Sequence, residues 1–344
     1  MELRVVVVLF HIIGISILTQ IIFNYMIISQ TPFRISFAGG GSDLKEYYER
    51  DYGAVISTTI NKFVYLSMHP LFNKKGYFLK YSNNEIVEDV KDIRHEIIKE
   101  VFLKYNISGV DFNSSSDVPS GTGLGSSSSF TSGIINLCNA YRNTFIKRED
   151  IAREACKIEI DKLKAPIGKQ DQYAVSIGGI NFIQFNSDES VSIEKIRLSE
   201  NKKQELESSL ILFYLGNTRG ASSVLHEQKK NTPNNVATLK KMVILAENLR
   251  DEFKNDSIHN IGDILHESWM YKKELSSNIT NGEIDYWYNE ALKHGAKGGK
   301  LLGAGNGGFL LLYAPDGGAD ILRASLRLYE LKFKFEQDGT KIIY

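Results

Sequence analysis

The stretch "DVPSGTGLGSSSSFTSGIINLCNAY", Asp117 to Tyr141, restricts the fold more than any other part of the chain. Its first half is nearly all glycine and serine. Its second half carries Phe130, Ile134, Leu137, Cys138 and Tyr141 at helical intervals. A flexible linker has the first property without the second, because linkers do not run straight into a helix with an apolar stripe. Gly121, Gly123 and Gly125 lack a Cβ, so the backbone there can take positive φ and approach a ligand closely. A helix opening directly after them presents unpaired N–H groups and the positive end of its dipole, which together hold an anion. Hydroxyls at Ser126–Ser129 add donors or reach a metal bound to phosphate. The preferred reading is a phosphate cradle. It is not the G-x-x-x-x-G-K-[ST] loop, since the only Gly-Lys-X triplets are "GKQ" and "GKL".

The rest of the chain reads as mixed α/β. "TPFRISFAGGG" alternates Phe33, Ile35 and Phe37 against Arg34 and Ser36, a period-two strand that ends in a glycine turn. "AVISTTI", "KFVYLSM", "GGINFIQF", "SLILFYLG" and "GGFLLLYAP" read as further strands, and "EIVEDVKDIRHEIIKEVFLKY" as one helix. "REDIAREACKIEIDKL" is an amphipathic helix stopped at Ala165-Pro166. Long helices are expected between about residues 235 and 276, and the polar segment around Ser190–Glu207 marks a junction between two α/β lobes near residue 205. A chain of 344 residues is long enough for both.

Several chemistries are excluded or disfavoured. Lys+Arg and Asp+Glu are both 41, so no global basic field points to nucleic acid. Cys138 and Cys156 belong to no CxxC pair, and no HExxH occurs, which argues against zinc and disulfides. The serine run contains no G-x-S-x-G elbow. "GAGNGG" (Gly303–Gly308) satisfies G-x-G-x-x-G but precedes a strand where a dinucleotide site needs a helix, so a turn packed beside a ligand or loop is the better reading. In "KIEIDKLKAPIGKQDQYAV", Glu159 shares a helical flank with Ala152 and Ala155, and is either a rim charge or a buried ligand. Asp171 follows a Pro-Ile-Gly turn and is expected on an ordered loop. An acidic pair beside a phosphate site suits one metal ligand and one base, because Mg²⁺ takes carboxylate and hydroxyl oxygens and a hydroxyl nucleophile must lose its proton.

Three segments taken in order, "TPFRISFAGGGSDL", "PSGTGLGSSSS" and "KLLGAGNGGF", resemble the GHMP kinase superfamily across roughly residues 29–320. The middle one is similar to that family's P-x-x-x-G-L-G-S-S-A-A signature, with Ser128-Ser129 in place of the usual alanines. Within the family the pattern is most similar to sugar 1-kinases acting on D-glycero-D-manno-heptose 7-phosphate, with the L-fucose kinase group next. The resemblance implies an α+β, two-lobed fold: a ribosomal S5 domain-2-like lobe (26–205) and a ferredoxin-like lobe (206–344). It also implies ATP and Mg²⁺ as cofactors and a sugar-phosphate substrate. Transfer to the anomeric hydroxyl would give the 1,7-bisphosphate, feeding nucleotide-heptose for a bacterial surface polysaccharide. A non-catalytic sensor on the same fold would need neither a base nor a metal site.

Residue by residue, the resemblance assigns Pro119, Gly121, Gly123, Leu124, Gly125, Ser126, Ser127 and Ser128 to the triphosphate. Ser127 and Glu159 resemble the Mg²⁺ ligands, with one residue more than some relatives have between Glu159 and the aspartate. Asp171 resembles the catalytic base and Arg34 the cation that keeps it ionised. Gly40, Gly41, Ser42 and Asp43 resemble the sugar-binding turn, and Gly303, Gly305 and Gly308 a loop that closes over the substrates. Arg219 and Lys300 are candidates for the substrate's own phosphate.

"VVVVLFHIIGISILTQIIF" (Val5–Phe23) stands outside the resemblance. It has no formal charge and is about long enough to span a bilayer. It reads either as an anchor or as an over-early start, with Met26 beginning the working protein. The second is preferred, because Arg4 would stay cytoplasmic and push an ATP-dependent chain outward. The expectation is therefore a cytoplasmic monomer or homodimer with no membrane partner.

Overall fold

The computed structural model describes residues 26–216 and 221–344. The leader at 1–25 and Arg219 lie outside the described residues. The first sheet is built on two long strands, β1 (Ile27–Ala38) and β2 (Gly53–Pro70), paired antiparallel along their length. Between them lies the short helix α1 (Lys45–Tyr48). The two apolar runs expected as separate strands form one continuous β2, because β1 pairs along both of its halves, each of which takes a different partner on its other edge. The C-terminal half carries β5 (Val110–Ser116), followed outward by β3 (Tyr77–Lys80) and, at the edge, β4 (Asn84–Val87). The N-terminal half carries β6 (Ile180–Phe185) and β7 (Val191–Ile196).

The helix expected over 85–105 is a correction. Its first part is β4 and a 3₁₀ turn at Val90–Asp92, and only α2 (Glu96–Tyr105) is helical. Apolar residues at 86, 90, 93 and 97 fall three and four apart by coincidence, and the strand pairing of β3 with β4 overrides that weak periodicity. α3 (Ser126–Tyr141), α4 (Arg148–Cys156) and α5 (Gln170–Ile177) follow, with α3 packed on β1 and β2. α4 runs on into a π-helical turn, Lys157–Lys162.

After α6 (Glu200–Ser209) the chain builds a second sheet from β8 (Leu210–Tyr214), β9 (Gly298–Leu301), β10 (Phe309–Tyr313) and β11 (Tyr329–Glu330). The helices α7 (Ala221–Asn231), α8 (Val236–Lys254), α9 (Ile261–Glu274) and α10 (Gly282–Lys293) connect β8 to β9, and α11 (Gly318–Leu326) connects β10 to β11. The strand order β11-β8-β10-β9, fourth-first-third-second, with helices after the first and third strands, is the ferredoxin-like arrangement. The molecule is thus α+β with two lobes.

The lobes share one hydrophobic cluster. α8 leaves the second sheet to pack on β1 and β2, and Phe253 meets Phe37 edge-on at 6.0 Å. The last strands, β12 (Phe335–Glu336) and β13 (Lys341–Ile342), return to the first sheet and pair with β2 and β1. β1 is therefore covered on both faces. Arg34 and Ser36, which alternation alone would turn to solvent, are buried and face the space between the lobes.

Candidate active site

Alternation along β1 sends its polar side chains to opposite sides, and the register shift between Pro32 and Phe33 leaves it intact because the extra residues, Asn61 and Lys62, lie on β2. Ser29 and Thr31 lie against Gly133 of α3, whereas Arg34, on the other face, reaches the N-terminal end of α5. Arg34 grips Asp171 with two parallel bonds, Nε to Oδ1 and Nη2 to Oδ2, both 2.7 Å. Its remaining arm, Nη1, donates to the carbonyl of Gly123 at 2.6 Å. The planar fork suits this bidentate geometry, which a point-charge ammonium would not reproduce. Asp171 sits in the first turn of α5 rather than on a loop, which corrects the expectation from the Pro-Ile-Gly turn. Its side chain remains 24% exposed to the cleft, so each oxygen keeps a lone pair for an incoming hydroxyl.

Opposite Asp171 stands the start of α3. Gly125 caps it at φ 81°, and the N–H groups of Ser126, Ser127 and Ser128 precede the first intrahelical bond, from Ser129 to Gly125. A Cβ on Gly125 would lie 3.2 Å from Cγ of Arg34 and 3.4 Å from Asp171 Oδ2, so the helix end and the ion pair are in contact. The hydroxyls of Ser127 and Ser128 both donate to the carboxylate of Glu159, the second at 2.9 Å, and Gln172 Nε2 adds a third bond at 2.7 Å. Glu159 is buried and has no cation within ion-pair distance among the described residues, and burial pushes its carboxyl up against the pull of those three donors. The π turn explains how it gets there: an extra residue widens one turn and keeps Glu159 facing Ser127 and Ser128. Ser129, the other departure from the family's alanines, donates to the carbonyl of Pro32 at 2.8 Å and ties α3 to β1.

The turn after β1 forms the next wall. Asp43 is buried, with Oδ1 accepting from the Gly41 N–H at 2.9 Å and Oδ2 from the Gln170 N–H at 3.1 Å. Burial, with the Asp171 charge adding, pushes its carboxyl up to about 6 against those two bonds. A Cβ on Gly168 would stand 2.0 Å from Asp43 Oδ2, so only glycine lets the 167–170 loop close on this carboxylate. The third wall is the β9–β10 hairpin loop, which is also why "GAGNGG" is no dinucleotide site: it joins two strands. Gly303 packs backbone to backbone on Gly123, and Gly308 on Thr122. Lys300 on β9 and Lys272 on α9 complete this wall, both buried. Lys300 Nζ donates to the Phe37 carbonyl at 3.1 Å, and burial with Arg34 nearby draws its pKa down to about 7. Lys272 Nζ donates to the carbonyls of Leu301 and Gly303 at 2.9 and 2.5 Å, and burial, then Lys300 and Arg34, pull it well below the usual lysine range.

The cleft thus gathers Arg34, Asp171, Asp43, Lys300 and the Ser126–Ser128 helix start, together with Gly40, Gly41, Gly121, Gly303 and Gly305. Other candidates stand behind its surface. Ser42 is fully buried, its hydroxyl bonded to the carbonyls of Gly39 and Ala54, so it shapes the turn without reaching the cleft. Leu124 is core, and its carbonyl accepts from the Arg34 N–H. Pro119 is exposed outside the cleft, with its carbonyl accepting from Thr122, and Gly308 supports the loop from behind. Lys272, Gln170 and Gln172 were not singled out from the sequence. For Lys272 a signal existed: it falls in helical phase with Ile261, Leu265 and Trp269, on the apolar stripe of α9.

The N-terminal domain model of the GHMP kinases matches residues 90–179 and their C-terminal domain model residues 249–329. A D-glycero-alpha-D-manno-heptose 7-phosphate kinase of Campylobacter jejuni subsp. jejuni serotype O:2 is 30% identical over 333 residues, 91% of this chain and 97% of its own length. The chain belongs to the GHMP kinases. It is similar over 316 residues, at 26% identity, to a bifunctional fucokinase/GDP-fucose pyrophosphorylase of Arabidopsis thaliana, covering 83% of this chain and 30% of that protein. Among solved structures, a D-glycero-D-manno-heptose 1-phosphate kinase from Bacteroides thetaiotaomicron shares the fold with a TM-score of 0.76 at 22% identity, over 92% of this chain and 99% of that one. This GHMP kinase is accordingly a sugar kinase, a phosphotransferase with a hydroxyl acceptor that takes ATP as its phosphoryl donor. Among the described residues, no helix is long and apolar enough to cross a membrane.

Proposed function

We propose that this kinase transfers the γ-phosphoryl group of ATP to the anomeric hydroxyl of D-glycero-D-manno-heptose 7-phosphate, giving the 1,7-bisphosphate. The observation that carries the reading is Asp171, clamped by Arg34 and open to the cleft directly opposite the α3 N-terminus. In the step, the bond from γ-phosphorus to the β,γ-bridging oxygen breaks, the bond to the sugar oxygen forms, and Asp171 accepts the hydroxyl proton. The loose transition state asks the protein mainly to position groups and neutralise charge. The free N–H groups of Ser126–Ser128 receive the phosphates.

Ser127 and Glu159 fit a Mg²⁺ ion: both offer hard oxygens, and the buried Glu159 carboxylate lacks a countercharge. Bound there, Mg²⁺ would neutralise charge on the triphosphate. Gly40, Gly41 and Asp43 form the sugar side, and Lys300 is the proposed contact for the substrate's own phosphate. The Campylobacter relative's substrate supports heptose 7-phosphate. A kinase for fucose-like free sugars is the second reading, supported by the Arabidopsis relative.

Two measurements test the proposal. Asp171→Asn is expected to lower turnover by about 10²–10⁴-fold while ATP binding is nearly unchanged, and wild-type rates in that variant would remove the base assignment. Coupled ADP release over a panel of heptose 7-phosphate and free hexoses separates the two substrate readings.

A further inference from the structure

Two lysines of the cleft, Lys272 and Lys300, are buried with no carboxylate within ion-pair distance among the described residues, and Lys272 is the one bonded to the β9–β10 loop. An ammonium has three donors, and Lys272 uses two on the carbonyls of Leu301 and Gly303. Gly303 is the residue that packs on Gly123 of the phosphate loop, whose carbonyl in turn accepts from Arg34. The Lys272 ammonium is thereby fixed to the loop that packs on the phosphate loop, in the cleft that Arg34 and Asp171 also line. Lys300, by contrast, is anchored to Phe37 on the strand that leads into the Gly39–Asp43 turn. With two carbonyls and the Trp269 ring, 5.9 Å away, as its partners and no carboxylate within ion-pair distance among the described residues, so deeply buried a cation gains from binding an anion.

We propose that Lys272 is a catalytic residue whose ammonium bonds the equatorial oxygens of the phosphoryl group in transfer, with Lys300 serving the sugar side. The assignment rests on the kinase reading above and adds a role that the three sequence segments do not contain. In the transfer step Lys272 exchanges no proton. Its charge balances the oxygens of the moving group while the bond to ADP breaks and the bond to the sugar oxygen forms.

The test uses the full-length protein and whichever panel sugar the wild type phosphorylates. Failure of the wild type on every sugar tells against the kinase reading alone. Lys272→Met and Lys272→Gln are expected to lower kcat by about 10²–10³-fold, with KM for ATP and sugar within about threefold of wild type. Both variants should bind ADP normally but lose the tighter binding of ADP with aluminium fluoride and magnesium, a mimic of the planar phosphoryl group. Should the methionine variant misfold, the glutamine variant decides, since its amide keeps a donor for the two carbonyls. Wild-type kcat in Lys272→Gln overturns the proposal. So does an unchanged kcat with a raised KM for the sugar phosphate, which would move Lys272 to the substrate's phosphate. Lys300→Met, in contrast, is expected to act on the sugar KM.

Discussion

Lys300 shows at single-residue level how function and stability oppose each other in this cleft. Its ammonium has one carbonyl partner and, among the described residues, no carboxylate within ion-pair distance, so its buried charge is uncompensated there. Its pKa falls from 10.5 in the ordinary state to about 7 in the fold, so the protonated form is disfavoured by folding. The resulting destabilisation grows as pH drops from about 10.5 toward about 7 and is constant below that. Lys300→Met is therefore expected to raise the Tm of the unliganded protein by several degrees at about pH 6.5 and by less at about pH 9. Thermal unfolding at the two pH values checks this, and a gain that is larger at the higher pH would contradict it. Local spacing marks the serine run, because a glycine loop entering an amphipathic helix is short-range chemistry, whereas Asp171 and Arg34 were picked out through the resemblance. Lys272 escapes such reading: it differs from its neighbour Lys273 only in helical phase, yet Lys273 is 28% exposed and pairs with Asp285.

The two glycine loops are the elements that join the lobes at the site. Gly123 has φ 87°, and a Cβ there would stand 2.5 Å from the Leu302 carbonyl. Gly121 has φ 76° with nothing within 4 Å of such a Cβ. Alanine at either position carries the left-handed penalty, about 1–2 kcal/mol. Only Gly123→Ala also forces the loops apart. Gly123→Ala is expected to lose at least about 2 kcal/mol more than Gly121→Ala in urea unfolding and to bind ADP more weakly. Equal losses in the two variants would show that the interlock carries no weight. Element type was legible wherever periodicity ran long, as in α3, α8 and α9. It failed over 85–105, where a hairpin edge mimics helical spacing, and at β2, where one strand serves two sets of partners.

At the level of the whole molecule, the chain closes on itself. β12 and β13 bring Thr340 to Thr31 at 2.8 Å, and the Thr340 N–H donates to the Val175 carbonyl, so the C-terminal segment ties β1 to α5, which carry Arg34 and Asp171. Deletion of residues 333–344 is expected to lower Tm by more than about 10 °C and to abolish turnover, whereas deletion of 343–344 is expected to change Tm by only a few degrees. Retained activity in the longer deletion would show that the tie is dispensable. The family and the two-lobed α+β architecture followed from the resemblance of three segments taken in order, and the helix start after the glycine loop from local sequence, because turn chemistry, helix starts and periodicity act over a few residues. The packing of the lobes that buries Arg34, the π turn that seats Glu159 on Ser127, the burial of Lys272 and Lys300 and the return of the last strands needed tertiary structure. Each depends on contacts between segments far apart in the chain, where burial and electrostatics are properties of the assembled cleft and of no single stretch.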